Sequence, residues 1–229
     1  MFQTDPFSLI ILLVSLSLLP MVAMVATSYL KIVVVMSLIR NALGIQSIPP
    51  NMVINALALI LTFYIMAPVC HESWNIMMAE RAAMAERAKE GEPAAPGQPI
   101  FETDIVAKAA VPFKEWMKKQ TGERERAFFV NTAERLWSKD GKTEAEVDSE
   151  SFFIILPSFC VTELTKAFQI GFLVYLPFIA IDIIVSNILL AMGMMMVSPV
   201  TISLPFKLLL FVMVDGWSML IQGLVRSYV

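Results

Sequence analysis

The sequence of 229 residues has little of what catalysis and metal binding usually require. It contains one histidine, His71, and two cysteines, Cys70 and Cys160, for which two free thiols are favoured over a disulfide. No Cys-x-x-Cys, His-Glu-x-x-His, Gly-x-Gly-x-x-Gly, Walker or Gly-x-Ser-x-Gly motif occurs, and the nine glycines form no phosphate-binding loop. We therefore expect no catalytic site, no metal site and no cofactor, and the chain is predicted not to be an enzyme.

Charged residues are also scarce, at 16% of the chain against about 25% in a typical soluble domain, whereas hydrophobic residues reach 57%. Of the 37 Asp, Glu, Lys and Arg residues, 28 lie between positions 72 and 150, and only nine lie in the other 150 residues. A soluble fold of this size cannot bury so many apolar residues. The sequence therefore predicts a membrane-associated protein with one polar insertion. The net charge of −3 gives no indication of nucleic-acid binding.

The charge distribution divides the chain into three predicted regions. Residues 1–71 carry apolar helices that form a hairpin with its turn at 41–51, residues 72–150 form a polar and mostly helical insertion, and residues 151–229 carry the C-terminal apolar helices. The tract 6–30 is long enough to cross a bilayer core of about 30 Å and should be kinked at Pro20. It does not resemble a signal peptide, because no Lys or Arg precedes it.

Further helices follow from the remaining tracts. Residues 52–69 form the second apolar helix, which the alanine-rich stretch 79–89 extends, and the C-terminal tracts are 152–176, 178–197 and 205–225. Hydropathy indicates about four membrane spans, with the insertion between the second and third. The few basic residues outside the insertion point it away from the cytoplasm.

The insertion itself is predicted to contain a flexible Pro/Gly loop at 91–99, two amphipathic helices at 103–121 and 123–138, and an acidic linker at 138–150. Its aromatic and apolar side chains should form a small core. These are Phe113, Trp116, Phe128, Phe129, Leu136 and Trp137.

Five ionisable residues lie inside the C-terminal apolar tracts, where an ionised group facing lipid costs about 2.5–3.5 kcal/mol. Glu163 and Lys166 are three residues apart on one helix face and can pair locally. Either Lys207 or Asp215 could meet Asp182 on a neighbouring segment. Structural pairing within or between subunits is favoured over a proton or ion pathway, and it indicates burial against other protein in an assembly.

Residues 192–199, Met-Gly-Met-Met-Met-Val-Ser-Pro, are the most unusual local feature. The glycine and the proline predict a helix end that runs into a loop. Methionine is unbranched and adaptable in shape, so Met194, Met195 and Met196 could form a soft apolar constriction when repeated around an axis. Taken alone, the pattern also fits ordinary core packing.

Several segments together resemble the FliP/SctR (YscR) family. Residues 157–172, PSFCVTELTKAFQIGF, and residues 205–217, PFKLLLFVMVDGW, look like the two signatures of that family, and 40–46 and 192–199 agree as well. The likeness covers nearly all of residues 8–71 and 151–228. It implies a core subunit of the type III secretion export apparatus, with an all-α fold of long bent hairpins stacked between the subunits of a cone-shaped oligomer.

The resemblance also implies what the subunit does and where. Met194, Met195 and Met196 match the family's methionine gasket, which closes the pore around an unfolded secreted chain. The expected partners are further copies in a pentamer, SctS/FliQ-like and SctT/FliR-like subunits, and SctU/FlhB-like and SctV/FlhA-like export components. The expected location is the inner membrane of a Gram-negative cell, with several passes and the insertion in the periplasm.

Two questions of function stay open at this point. Residues 40–44 and 198–203 look like the injectisome branch of the family and residues 112–121 like the flagellar branch, and the injectisome is favoured. A small-solute or ion transporter that uses Asp182, Lys207 and Asp215 is the main alternative, but the sequence shows no internal repeat that would favour it. A membrane-anchored sensor with residues 72–150 as its binding domain is weaker, because that insertion carries no ligand motif.

Overall fold

The computed structural model describes residues 6–45, 48–89, 103–137 and 148–228, and within them every regular element is an α-helix. The prediction of an all-α fold is confirmed. The helices in chain order are α1 (Pro6–Val25), α2 (Tyr29–Ala42), α3 (Asn51–Lys89), α4 (Thr103–Ala109), α5 (Val111–Gln120), α6 (Glu123–Trp137), α7 (Phe152–Ala191), α8 (Pro199–Met213) and α9 (Gly216–Arg226). The predicted loop 91–99 and most of the linker 138–150 lie outside the described residues.

The tract 6–30 is predicted to be one helix, but the structure divides it between two helices. Helix α1 ends at Val25, and α2 begins at Tyr29 and continues through Lys31 to Ala42. Pro20 lies inside α1 rather than at its break. The hydroxyl of Thr27 donates a hydrogen bond to the carbonyl of Ala23 at 2.6 Å and so satisfies one carbonyl near the end of α1.

The second apolar helix is longer than a single span. α3 runs for 39 residues, begins at Asn51 after the Pro49-Pro50 pair and passes through Pro68. It includes the alanine-rich stretch 79–89, which is predicted to extend this helix. Gly44, in the turn before it, has a φ of 78°, which glycine adopts without steric cost.

The insertion contains three short helices among its described residues instead of the two predicted. The expected helix 103–121 is interrupted at Ala110, since Pro112 occupies the first turn of α5 and cannot donate a backbone hydrogen bond. The predicted aromatic core is also wrong in part, because Phe128, Leu136 and Trp137 are exposed. The ring of Trp116 instead packs on Phe159 of α7, with centroids 5.5 Å apart.

The C-terminal half is also organised differently from the prediction. α7 is continuous for 40 residues and does not break at Pro177 between the predicted tracts 152–176 and 178–197. The last predicted helix, 205–225, is a pair of helices, α8 and α9, bent by 60°. Asp215 lies at the bend with φ and ψ of 51° and 48°.

Contacts divide the chain into two units, each made from two separate stretches. The first unit comprises Met1–Thr27 and Met66–Thr162, and the second comprises Ser28–Ile65 and Glu163–Val229. The core of the first includes Met117, Ile155 and Phe159. The core of the second is larger, since α2, α3, α7, α8 and α9 all contribute to it. Its fully or nearly fully buried members include Ile32, Val35, Met36, Ile39, Ala58, Ala167, Phe211 and Leu224.

Two helical stretches in the described part of the chain are long and apolar enough to cross a membrane, Asn51–Met84 and Phe152–Ala191. The bent pair α8 and α9 makes a third if it counts as one span. The length and composition of these stretches suit association with a membrane. Within the described residues the number of candidate spans is therefore two or three rather than about four.

Candidate functional site

The methionine loop, residues 192–198, leaves α7 through a tightly hydrogen-bonded helix end. The backbone N–H of Gly193 donates to the carbonyl of Leu190 at 3.0 Å, and that of Met194 donates to Leu189 at 2.9 Å. Gly193 has a φ of 74°. This pair of bonds with a left-handed glycine is the Schellman arrangement, which satisfies the last carbonyls of a helix and fixes the direction in which the chain leaves it.

The methionines of this loop are exposed to an unusual degree. Met194, Met195 and Met196 are 44%, 82% and 99% exposed. A methionine that fills a core is buried, because its stabilising effect depends on removing its thioether chain from water. The alternative in which these residues are ordinary core packing within this chain does not agree with those exposures.

The loop is also well defined where it enters α8. Ser198 is the N-cap residue with an extended backbone, and Pro199 occupies the first turn, where its missing N–H has no helical partner to lose. Val200 lies beside the turn that follows α2, since a Cβ on Gly44 would be 3.6 Å from its side chain. The loop is therefore bounded by the Schellman end of α7 and by the Ser198-Pro199 start of α8.

A buried polar network connects the two helices on either side of this loop. The Lys207 ammonium of α8 lies 2.6 Å from Oδ2 of Asp182 in α7 and donates a second hydrogen bond, at 3.2 Å, to the carbonyl of Ala42. The Ser203 hydroxyl donates to Oδ1 of Asp182 at 2.5 Å. Lys207 is 3% exposed and Asp182 32%. We call these four residues the stem network.

The stem network connects α7, α8 and the end of α2. Ala42 is the last residue of α2, where carbonyls lack helical partners and a cation is favoured by the helix dipole. Leaving Asp182 or Lys207 without its partner would place a charge against apolar surroundings. The network therefore fixes how the two stems of the methionine loop are held together.

Glu163 lies in a second buried cluster with a partner that the sequence analysis does not identify. Nζ of Lys31 in α2 is 3.4 Å from Oε2 of Glu163, and both side chains are fully buried. Lys166 approaches the other carboxylate oxygen at 3.7 Å, as the spacing of three residues predicts. Tyr228, after α9, donates its hydroxyl to Glu163, and its ring lies 3.5 Å from Nζ of Lys31.

The sequence indicates that Lys31 needs a partner, but it does not indicate which residue that partner is. A lysine between two apolar stretches must find a partner at bilayer depth. Its choice of Glu163 depends on how α2 packs against α7, which no local pattern encodes. The sequence does not indicate that Tyr228 contacts Glu163 and Lys31, because a tyrosine near a helix end is common at a membrane interface.

Asp215 differs from the other four predicted charged residues. It is exposed and forms no ion pair with any residue that the structure describes. Neither Asp182 nor Lys207 is its partner, since those two bind each other. Its neighbours Val212, Met213 and Met219 are 74%, 76% and 66% exposed, so its carboxylate lies on an apolar surface.

The remaining polar residues singled out by the sequence form no reactive group. Cys70 and Cys160 are not joined by a disulfide, and the thiol of Cys160 lies 3.8 Å from the carbonyl of Val25. His71 contacts the amide of Asn75 at 3.2 Å. In the described stretches no three His, Cys, Asp or Glu side chains are placed to hold a metal ion.

These features define a helical, membrane-associated protein whose distinctive parts are a loop and buried ion pairs. The chain belongs to the FliP family, whose model matches residues 12–224. It is 48% identical over 224 residues to "Yop proteins translocation protein R" of Yersinia pestis, covering 98% of this chain and 97% of that protein. It is 45% identical to "Hypersensitivity response secretion protein HrcR" of Ralstonia nicotianae, over 96% of each chain.

A third relative gives the same result. "Virulence protein YscR" of Salmonella typhimurium is 44% identical over 227 residues, which cover 98% of this chain and 97% of that protein. The expected family and its injectisome branch are confirmed. The chain is a subunit of the type III secretion export apparatus, a structural protein rather than an enzyme, and it assembles with other secretion components.

Proposed function

We propose that this subunit oligomerises, as a pentamer in a cone-shaped assembly, into the gate through which the type III apparatus exports unfolded proteins. In that assembly the methionine loops of neighbouring copies meet around a central axis. Their flexible thioether side chains form a gasket that excludes ions and yields to a passing polypeptide. The subunit is a passive element, and the energy for transport is supplied elsewhere.

The exposure of the methionine loop is the observation that carries this proposal. Three consecutive methionines held away from the core by capped helices contribute little to the stability of a single chain. Exposed apolar side chains of this size mark a surface that contacts another molecule. A gasket requires that each copy expose its methionines to the neighbouring copies. It also requires that each loop leave its two helices from a fixed position.

The buried clusters support the same proposal. Glu163, Lys166, Asp182 and Lys207 form contacts within the second unit, which suits a subunit that is rigid apart from its loop. Asp215, exposed among apolar side chains, is suited to a contact between subunits. We propose SctS/FliQ-like and SctT/FliR-like proteins as further neighbours, SctU/FlhB-like and SctV/FlhA-like components as export partners, and the periplasm as the location of residues 72–150.

The test replaces Met194, Met195 and Met196 together with alanine in the assembled apparatus. A gasket predicts that the variant assembles normally but conducts ions when the gate is idle, which a membrane-potential dye would report, or that it secretes less. The matched control is the triple alanine variant of Met21, Met52 and Met78, which are also exposed but lie outside the loop.

One pattern of results would favour the transporter alternative instead. The methionines are not the gasket if two results are found together. The loop variant would conduct no ions and secrete normally, and Asp182→Asn alone would abolish function although the apparatus assembles. A relay through the charged residues would then account better for the activity.

A further inference from the structure

Asp215 occupies a backbone position that normally favours glycine. Its φ of 51° places it in the left-handed region, and it is the only non-glycine residue with a positive φ among those the structure describes. Residues with a Cβ pay a steric penalty there. Aspartate offsets part of that penalty when its side chain bonds to the nearby backbone, but the Asp215 carboxylate makes no such bond to the start of α9.

The bend itself does not require an aspartate. The next residue, Gly216, is fixed by packing, because a Cβ there would lie 2.3 Å from the ring of Phe211. Position 215 has no comparable constraint, since its side chain is exposed. A glycine at 215 would make the same bend with less strain, so the carboxylate must be explained by something outside the local backbone.

The surroundings of Asp215 call for a cation from another molecule. An ionised carboxylate that a contact between apolar surfaces removes from water is unfavourable unless a positive charge covers it. No described residue of the same chain supplies that charge. The apolar side chains around it would be buried by the same contact, which adds a hydrophobic contribution to the electrostatic one.

A suitable cation is presented elsewhere on the same unit. Lys166 in α7 has 40% of its side chain exposed, although it also approaches Glu163. Its part of α7 carries the exposed apolar residues Phe168, Phe172 and Leu173. Of these three, Leu173 lies on the same face of α7 as Lys166, seven residues earlier. Each copy thus presents an anion among apolar side chains at the bend of α8 and α9, and a cation beside an apolar side chain on α7.

We propose that Asp215 of one copy binds Lys166 of the next copy. The two residues lie on or beside different helices of the second unit, α7 and α9, and form no ion pair with each other within the described part of one chain. In the proposed contact each pair uses one Asp215 and one Lys166, so that one of each is left for further copies and the contact is heterologous. Repetition of such a contact builds a ring or a helical array, whereas a two-fold dimer would use both contacts between the same two copies. This inference rests on the proposed oligomeric gate and adds the contact that links its subunits.

Cross-linking between copies tests the contact directly. Two differently tagged full-length chains, one with Asp215→Cys and one with Lys166→Cys, are expressed with the other apparatus genes in a Cys70→Ser, Cys160→Ala background that still secretes. A short bifunctional thiol reagent is used, because an aspartate–lysine pair separates the backbones by more than a disulfide allows. We expect a mixed-tag dimer, and with both cysteines on one chain we expect a ladder of higher oligomers.

Matched variants define what would overturn the proposal. In the control experiment Gln222→Cys, at an exposed position on α9, is used in place of Asp215→Cys and should give no mixed-tag product with Lys166→Cys. Same-tag dimers alone, a double-cysteine product that stops at the dimer, or a cross-link from Asp215→Cys to a different component would each reject the Asp215–Lys166 contact.

Removal of the two charges gives an independent readout in the same complex. Asp215→Asn, which tolerates the left-handed backbone, and Lys166→Gln, which adds no second carboxylate beside Glu163, should each lower the recovered oligomer by about tenfold. The double variant should lose no more than the poorer single, because both changes remove the same contact. If the losses of the two singles multiply in the double variant, the two residues act independently and the contact is wrong.

Failure of this contact and failure of the gate can be told apart. If the wild-type oligomer forms and secretes but the 215–166 cross-link is absent, only the contact is rejected. If native mass spectrometry of the wild-type chain, extracted with its partners, shows only monomers, the proposed gate itself is rejected.

Discussion

Nζ of Lys31 lies 3.4 Å from Oε2 of Glu163, and neither side chain has any exposed surface. The two helices that carry them, α2 and α7, are joined at this point by the ring and the hydroxyl of Tyr228. A buried pair of this kind costs desolvation, so the removal of one partner alone leaves an uncompensated buried charge. Its importance can be measured by removing each partner in turn.

Removing the carboxylate should leave an unpaired buried lysine. We expect Glu163→Gln to lower the free energy of unfolding by about 3–5 kcal/mol, measured by thermal unfolding in detergent. The double variant Lys31→Met, Glu163→Leu removes both charges and should recover most of that loss, because no buried charge remains. If the double variant is as unstable as the sum of the singles, the pair is not the dominant interaction.

The hydroxyl of Tyr228 should contribute separately from its ring. Tyr228→Phe keeps the ring beside Lys31 but removes the hydrogen bond to Glu163, and we expect a loss of about 1.5–3 kcal/mol because the acceptor is charged. Tyr228→Leu should cost more, since the cation–ring contact disappears too. Tyr64→Phe, at a side chain that is 70% exposed, is the matched control and should change stability little.

The bend between α8 and α9 should not tolerate a side chain at Gly216. Gly216→Ala would place its Cβ 2.3 Å from the ring of Phe211, and forced repacking of this kind typically costs about 1–3 kcal/mol. Gly223→Ala in the same helix meets no atom within 4 Å and should be neutral or slightly stabilising. Equal effects of the two variants, measured as unfolding temperature, would contradict the close packing at the bend.

Breaking the stem network should disturb the methionine loop more than the rest of the fold. Lys207→Met leaves Asp182 without its cation, and we expect a loss of about 1–3 kcal/mol, reduced from the fully buried case because Asp182 is 32% exposed. The idle apparatus should also leak ions, because α7 and α8 no longer hold the loop in one position. If the variant assembles and is less stable but the idle apparatus does not conduct ions, the network does not position the loop.

The first unit should respond to acid through Glu150. Its pKa lies below the usual range of a glutamate, first because Lys118 donates a hydrogen bond to it and then because that ammonium attracts the carboxylate. A group whose pKa is lowered by folding stabilises the fold above its unfolded pKa, about 4.3, and loses that effect as the pH falls through the folded value.

We therefore expect the unfolding temperature of the wild type to fall on acidification more than that of Glu150→Gln. The difference should shrink at high salt, because the Glu150–Lys118 pair is partly exposed and therefore screened by ions. The control is Glu134→Gln, at an exposed position on α6, and its unfolding temperature should fall on acidification as much as that of the wild type. A wild type and a Glu150→Gln variant with the same acid response would refute this role for the pair.

Residues that interact locally were predictable from the sequence. The spacing of Glu163 and Lys166 indicates a contact on one helix face, and the structure places them 3.7 Å apart. Gly193 and Pro199 mark the ends of the methionine loop because each acts through its own backbone. Proline alone does not predict where a helix ends, since α3 passes through Pro68 whereas Pro112 begins α5 after a break at Ala110. The bend at Asp215 has no such local signal, because it depends on how α8 and α9 pack around Phe211.

The sequence by itself determined the class of this protein: membrane association, helical structure, the absence of the motifs of an enzyme, and the family that its signatures resemble. Those properties depend on composition and on spacings of a few residues, which a linear chain displays. Only the tertiary structure decided that Lys31 pairs with Glu163, that Lys207 rather than Asp215 binds Asp182, and that Met194–Met196 are exposed. Each of these depends on how distant helices pack, and packing is a property of the folded chain.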